Sequence, residues 1–185
     1  MELMDAIYQR RAVRSYTDRV VDRDTIRKLF WAAVQAPSAI NAQPWAFAVI
    51  QDRDLLKQIS DRARTHFLKT AGGAIPASLW DVVTAPDFNM FYNAGTLILI
   101  CAKPTEPAAA EDCCLAAQNL MLAACDLGLA TCPIGFARSW LNLPEVKAEL
   151  GIPADFAPIT PMIVGYPAEI PPPVVRADPE MLFWK

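Results

Sequence analysis

The sequence predicts an α+β fold, because apolar runs of strand length are mixed with amphipathic helical stretches and the crossovers do not recur regularly enough for a doubly wound sheet. The seven glycines form neither GxGxxG nor GxxxxGKS/T, which disfavours a dinucleotide on a Rossmann turn and a P-loop nucleotide alike. The 185 residues suit one domain, able to bury about 70% of its unfolded surface. We expect a single domain over 1–185, with residues 168–185 as an extended C-terminal arm.

Each element has its own signal. Leu3, Ile7 and Tyr8 share one side of a helix over 3–12, which places Arg10 and Arg11 in its last turn. A second helix over 22–36 carries Ile26, Leu29, Phe30, Ala33 and Val34 as a stripe, with Asp22 as cap and Pro37 as stop. "WAFAVIQ" (45–51) reads as a buried strand, 52–67 as a helix and "AGTLILICAK" (94–103) as a second buried strand. Residues 111–130 are apolar almost all round and rich in Ala and Cys, which suits a central helix or one at a subunit interface, with Gly128 just past its end. "TCPIGF" (131–136) starts a short strand or turn, 142–152 is a helix with proline at its start, and 157–167 is a third strand. The proline-rich tail resists regular structure, yet its apolar residues and Trp184 suggest that it lies against something.

Composition removes several function classes. The net charge of −3 with scattered arginines offers no broad basic face for nucleic acid. No apolar run approaches the roughly 20 residues of a membrane span, and the N-terminus lacks a signal-peptide core, so a cytoplasmic protein is expected. The five cysteines lack CxxC spacing and the one histidine is His66, so neither a zinc site nor a His-based triad is supported. Hydrophobic residues at 54% are many for a soluble monomer, and a homo-oligomer is expected.

Three stretches could carry chemistry. "RRAVRSY" (10–16) puts three arginines into five positions. If the first helix runs one turn further, Arg10 and Arg14 share a face and can converge on one anion; otherwise the cluster is a solvated helix end. "APSAINAQPW" (36–45) is a rigid loop that either presents Ser38, Asn41 and backbone groups to a ligand or is a turn tied by its own side chains. In "GLATCPIGF" (128–136) glycine lets the backbone approach a flat ligand closely.

Taken in order, the arginine cluster, the PSxxNxQPW loop, the "AxxNLxLAAxxLGL" helix running into "PIG", and "GYPAE" with a later arginine resemble the FMN-dependent nitroreductase family over about residues 4–178. The resemblance implies a nitroreductase-like α+β fold, with a central, mainly antiparallel sheet flanked by helices. It also implies an intertwined homodimer with two flavin sites at the interface, each built from both subunits. Arg10 and the backbone of Arg11 and Ala12 resemble the family's phosphate and ribityl contacts, and Arg14 resembles the basic residue at the flavin pyrimidine edge. Pro37, Ser38, Ala39 and Asn41 resemble the wall given by the partner subunit. Ile134 and Gly135 resemble the segment whose backbone meets the ring near N5, and Arg176 a second phosphate arginine. The implied activity is reduction of nitroaromatics, quinones or similar small acceptors by FMN, with NADH or NADPH as donor, in ping-pong order. No side-chain acid or base, metal, nucleic acid or membrane is called for. The alternatives are a flavin storage or sensor protein, or a specialised dehalogenase or dehydrogenase of the same family. Aromatic residues of 62–93, Phe67, Trp80, Phe88 and Phe91, either line the acceptor pocket or belong to the core.

Overall fold

A computed structural model describes residues 1–70, 76–105 and 108–185, the side chain of Ser78 excepted. Within the segment 62–93, residues 71–75 therefore lie outside the described residues. In chain order the elements are α1 (Leu3–Gln9), α2 (Arg23–Ala33), β1 (Ala46–Ile50), α3 (Arg53–Thr70), α4 (Ala77–Thr84), β2 (Thr96–Ala102), α5 (Ala109–Asp126), β3 (Ala130–Pro133), α6 (Arg138–Leu141), α7 (Pro144–Glu149) and β4 (Ala157–Gly165). The strands form one antiparallel sheet in the order β1-β2-β4-β3.

β2 shows why the sheet sits in the middle. All seven of its residues are buried, and side chains alternate between faces along a strand. Leu97, Leu99 and Cys101 join one core with Leu56, Ile59, Phe67, Phe91 and Trp140. Ile98, Ile100 and Ala102 join the other, beneath α2 and α5, with Leu29, Ala33, Cys113 and Leu120. Among the described residues no helix is long and apolar enough to cross a membrane.

One boundary differs from expectation and one helix, α4, is not among the expected elements, and both differences have tertiary causes. The first helix stops at Gln9 rather than continuing to Ala12, because Ala12 pairs with Thr131 in a parallel bridge and Val13 N–H donates to the Thr131 carbonyl at 3.1 Å. α4 carries no cap of its own and is closed from outside. The Arg64 guanidinium, reaching from α3, donates to the carbonyls of Val83, Thr84 and Ala85 at 2.8, 3.0 and 2.8 Å. Other expectations hold closely: Asp22 caps α2 by accepting from Thr25 N–H at 2.8 Å, and Gly128 takes φ 70° just beyond α5. The tail has no regular element, and Trp184 in it is 89% exposed.

The cysteines are free, and Cys101, Cys113 and Cys132 are buried. Burial pushes the Cys101 thiol from 9.0 to about 11 and the Cys113 thiol from 9.0 to about 12. The folded state thus holds their protons more tightly than the unfolded chain, so their contribution is fully present below pH 9.0 and is lost as pH climbs toward 11–12. We expect the urea midpoint to fall between pH 8.5 and 10.5 and the Cys101→Ala, Cys113→Ala double variant to show a shallower fall.

Candidate functional site

The arginine stretch is an extended ribbon. β3 is an edge strand of the sheet, and residues 11–13 lie beside it in parallel, covering the edge. The ribbon is pinned at its far end too: Tyr16 hydroxyl donates to the Val13 carbonyl at 2.8 Å, Thr17 N–H to Tyr166 at 2.9 Å and Ala168 N–H to Ser15 at 3.0 Å. Gly165 permits this, since a Cβ there would lie 2.8 Å from Tyr16 Cδ1.

An extended chain sets its side chains apart. Four residues of ribbon span up to about 13 Å, and the shared-face geometry of a longer helix does not arise. Arg10 faces a cavity of about 380 Å³ that it lines together with Arg11, Cys125, Gly128, Thr131 and Ile170. No acid is among that cavity's lining residues. Arg14 stands further along β3, where its charge acts on Cys132, Tyr16 and Tyr92. Neither Arg10 nor Arg14 has an ion-pair partner among the described residues. The ribbon therefore offers two separated, uncompensated cations, which suits a long ligand charged or electron-rich at both ends.

Arg11 does the ordinary work of a helix end. Its guanidinium turns back to donate to the carbonyls of Tyr8 and Arg10, the second at 2.9 Å. One polar atom is left over: Arg11 Nε is buried without a partner. Beyond β3, Ile134 is buried and its N–H is committed to the Pro161 carbonyl at 2.8 Å, whereas Gly135 is exposed. Of these two amides only that of Gly135 can face a ligand.

The 36–45 loop sits elsewhere in the chain. Asp112, buried in the first turn of α5, accepts the Ala39 N–H on both oxygens at 3.2 and 3.3 Å. Ser38 Oγ accepts from Gln43 N–H at 3.0 Å and Asn41 Oδ1 from the Gln43 amide at 3.2 Å, so the loop is also tied by its own side chains. Ile40, Asn41 and Gln43 are all held at positive φ, 48°, 57° and 47°. By contrast, the arginine cavity lies at the other end of α5, beside Cys125 and Asp126, whose carboxylate pairs with the Met1 amino group. Fourteen helical residues separate Asp112 from Asp126, about 21 Å at 1.5 Å per residue. Pro37, Ser38, Ala39 and Asn41 thus stand apart from the cavity that Arg10 and Arg11 line within one chain. Arg176 is exposed in the tail and does not line the arginine cavity, although Ile170, Pro171 and Pro173 do.

Sequence reasoning missed Asp112, Tyr92 and Cys132. Asp112 reads as a first-turn helical acid, and only the long-range contact to Ala39 reveals its role. Of the four aromatics, Phe67 and Phe91 are core residues and Phe88 packs on the same core, while Trp80 is 37% exposed.

Fold and geometry together define an α+β protein in which an arginine-bearing ribbon covers the β3 edge of an antiparallel sheet. The chain belongs to the nitroreductase family, whose model matches residues 7–166. An Archaeoglobus fulgidus protein whose name includes "NAD(P)H nitroreductase" is 36% identical over 103 residues, 56% of this chain and 47% of the relative. An "FMN reductase [NAD(P)H]" of Bacillus subtilis is 34% identical over 62 residues, 34% of this chain and 25% of the relative. The matched stretches thus span less than half the length of these curated relatives. A Bacteroides fragilis nitroreductase solved with bound FMN is 26% identical, with TM-score 0.84 and full coverage of both chains. A Desulfitobacterium hafniense nitroreductase with bound FMN, 24% identical and likewise fully covered at TM-score 0.84, shares the fold.

Proposed function

We propose that the protein is an FMN-dependent oxidoreductase that takes electrons from NADH or NADPH and passes them, in ping-pong order, to small electron-poor acceptors such as nitroaromatics or quinones. The observation that carries this reading is the Arg10–Arg14 ribbon along β3, with its two separated cations and the open Gly135 amide beyond them. The residues present fit FMN: an acid-free cavity with Arg10 and the orphaned Arg11 Nε suits the phosphate end, and the rest of the ribbon suits the ring.

When bound, the FMN supplies the redox chemistry by accepting a hydride from the nicotinamide donor and giving electrons to the acceptor. The chain holds and tunes it. Arg10 binds the phosphate, with Arg176 joining it from the tail as a second fork. Arg14 sets a fixed positive charge at the pyrimidine edge, which favours the electron-rich form. The exposed Gly135 N–H would be a donor to hold the ring.

The same reading calls for a homodimer. Within one chain the Pro37–Asn41 loop stands about 21 Å from the arginine cavity along α5, and a second copy supplies it as the wall over the ring. Apolar side chains left open are the surface for that copy, among them Leu3 and Tyr8 on α1, Trp31 on α2, Leu115 on α5 and Ile40, which is 97% exposed. The exposed tail, with Phe183 and Trp184, then finds its contact on the partner.

The test is a visible spectrum of the purified protein, before and after NADH or NADPH is added without oxygen and then a nitroaromatic. A yellow protein that bleaches and recovers supports the enzyme. A flavin that binds but does not bleach points to storage or sensing, and a protein that refuses added FMN contradicts the reading.

A further inference from the structure

Arg14 is oriented without being neutralised. Its guanidinium carbon stands 5.7 Å from the centroid of the Tyr92 ring, and no carboxylate pairs with it among the described residues. The difference matters chemically. A carboxylate partner would fix the side chain but cancel its charge toward a ligand, whereas a neutral tyrosine, through its ring and the phenol oxygen that accepts from Arg14, fixes its direction and leaves the charge in place.

Tyr92 is itself held by more than ordinary loop packing. It has φ 50° and Asn93 has φ 57°, two successive non-glycine residues in the left-handed region. Such backbone persists only where the surroundings over-determine it, and it gathers at functional sites. Here Met90 N–H donates to the buried Ser60 Oγ at 2.8 Å, Phe91 N–H to Asn89 Oδ1 at 2.8 Å and Tyr92 N–H to the Asn89 carbonyl at 2.9 Å. The Phe88 ring meets Tyr92 edge-on at 5.7 Å. The result is a half-buried ring pointed at the arginine ribbon, with Cys132 of β3 near enough to act on its phenol.

We propose that Tyr92 is a positioning residue that holds the Arg14 guanidinium at the pyrimidine edge of the FMN and so sets the reduction equilibrium of the bound flavin. This rests on the FMN reading above and on Arg14 as the residue at that edge. Tyr92 touches neither donor nor acceptor in this role; it acts through Arg14.

The test compares wild type, Tyr92→Asn, Tyr92→Phe, Arg14→Gln and the Tyr92→Asn, Arg14→Gln double variant, each loaded with FMN. Asparagine accepts the left-handed backbone, so that variant removes the ring and spares the turn. The readouts are the midpoint potential against a reference dye and the FMN dissociation constant. Tyr92→Asn is expected to shift the two-electron equilibrium toward the oxidised flavin about tenfold, about 30 mV more negative, with FMN affinity changed less than threefold. Tyr92→Phe keeps the ring but loses the phenol oxygen that accepts from Arg14, and should give a potential between those of wild type and Tyr92→Asn. The double variant should match Arg14→Gln alone, because the two residues act as one unit. An Arg14→Gln shift with a wild-type potential in Tyr92→Asn overturns the role of Tyr92, as do fully additive shifts. An unshifted Arg14→Gln overturns the assignment of Arg14 on which the proposal stands. Should Tyr92→Asn not fold, Phe88→Leu, which removes the edge contact behind Tyr92, is expected to move the potential in the same direction, and an unmoved potential there counts against the proposal.

Discussion

Replacing Arg10 by alanine is expected to weaken FMN binding about 10- to 150-fold, the 1.5–3 kcal/mol typical of a hydrogen bond to a charged group. Arg10 borders an acid-free cavity and has no ion pair to lose among the described residues, so the substitution costs the fold little and the ligand much. Its guanidinium is only partly exposed, so salt should weaken the wild-type interaction less than it would a fully solvated pair. Arg176→Ala should lower affinity by a similar factor if the tail folds over the phosphate; unchanged affinity would remove Arg176 from the site. Fluorescence titration of FMN into the apoprotein reads both.

The second large effect is on potential rather than affinity. Arg14 lies further along the ribbon, beside Cys132 and Tyr92, and its charge is uncompensated. Removing that charge as Arg14→Gln should make the midpoint potential more negative by 30 mV or more, at about 30 mV per tenfold in a two-electron equilibrium, while FMN still binds. The two variants therefore separate the two ends of the ligand. A loss of affinity alone in Arg14→Gln, with no change of potential, would place Arg14 on the phosphate side instead.

The sequence carried the sheet well because β2 and β4 are apolar enough to declare themselves, and Asp22, Pro37 and Gly128 punctuate their helices by local chemistry. It failed where the deciding contact is distant. The end of α1 is settled by Thr131, more than a hundred residues away, which draws Ala12 into a bridge. Helix α4 lies between Pro76 and Pro86 without a capping side chain, and its stabilising donor is Arg64 on another helix. The residue types of the site were legible, since arginines and a proline-bounded loop stand out in any composition. Their arrangement was not. That Arg11 serves the helix end while Arg10 and Arg14 point to different places follows from an extended backbone, which no helical periodicity in "LMDAIYQRRA" announces. Likewise nothing local marks Asp112 as the acceptor for Ala39, or Tyr92 as left-handed.

On the proposed function, one site needs the ribbon of one chain and the loop of another. Subunit mixing tests it directly, with Arg10→Ala in one chain and Ser38→Trp in the other. Ser38 has extended backbone, φ −141°, which accepts any side chain, so the tryptophan obstructs the ring space at the cost of one loop hydrogen bond, that from Gln43 N–H to Ser38 Oγ. Each homodimer should bind FMN poorly. After random exchange of equal amounts, half the dimers are mixed and each has one intact site, so about one quarter of all sites should regain wild-type affinity. Recovery near one quarter supports a site shared between subunits; no recovery would place both residues in the site of a single chain and contradict the account.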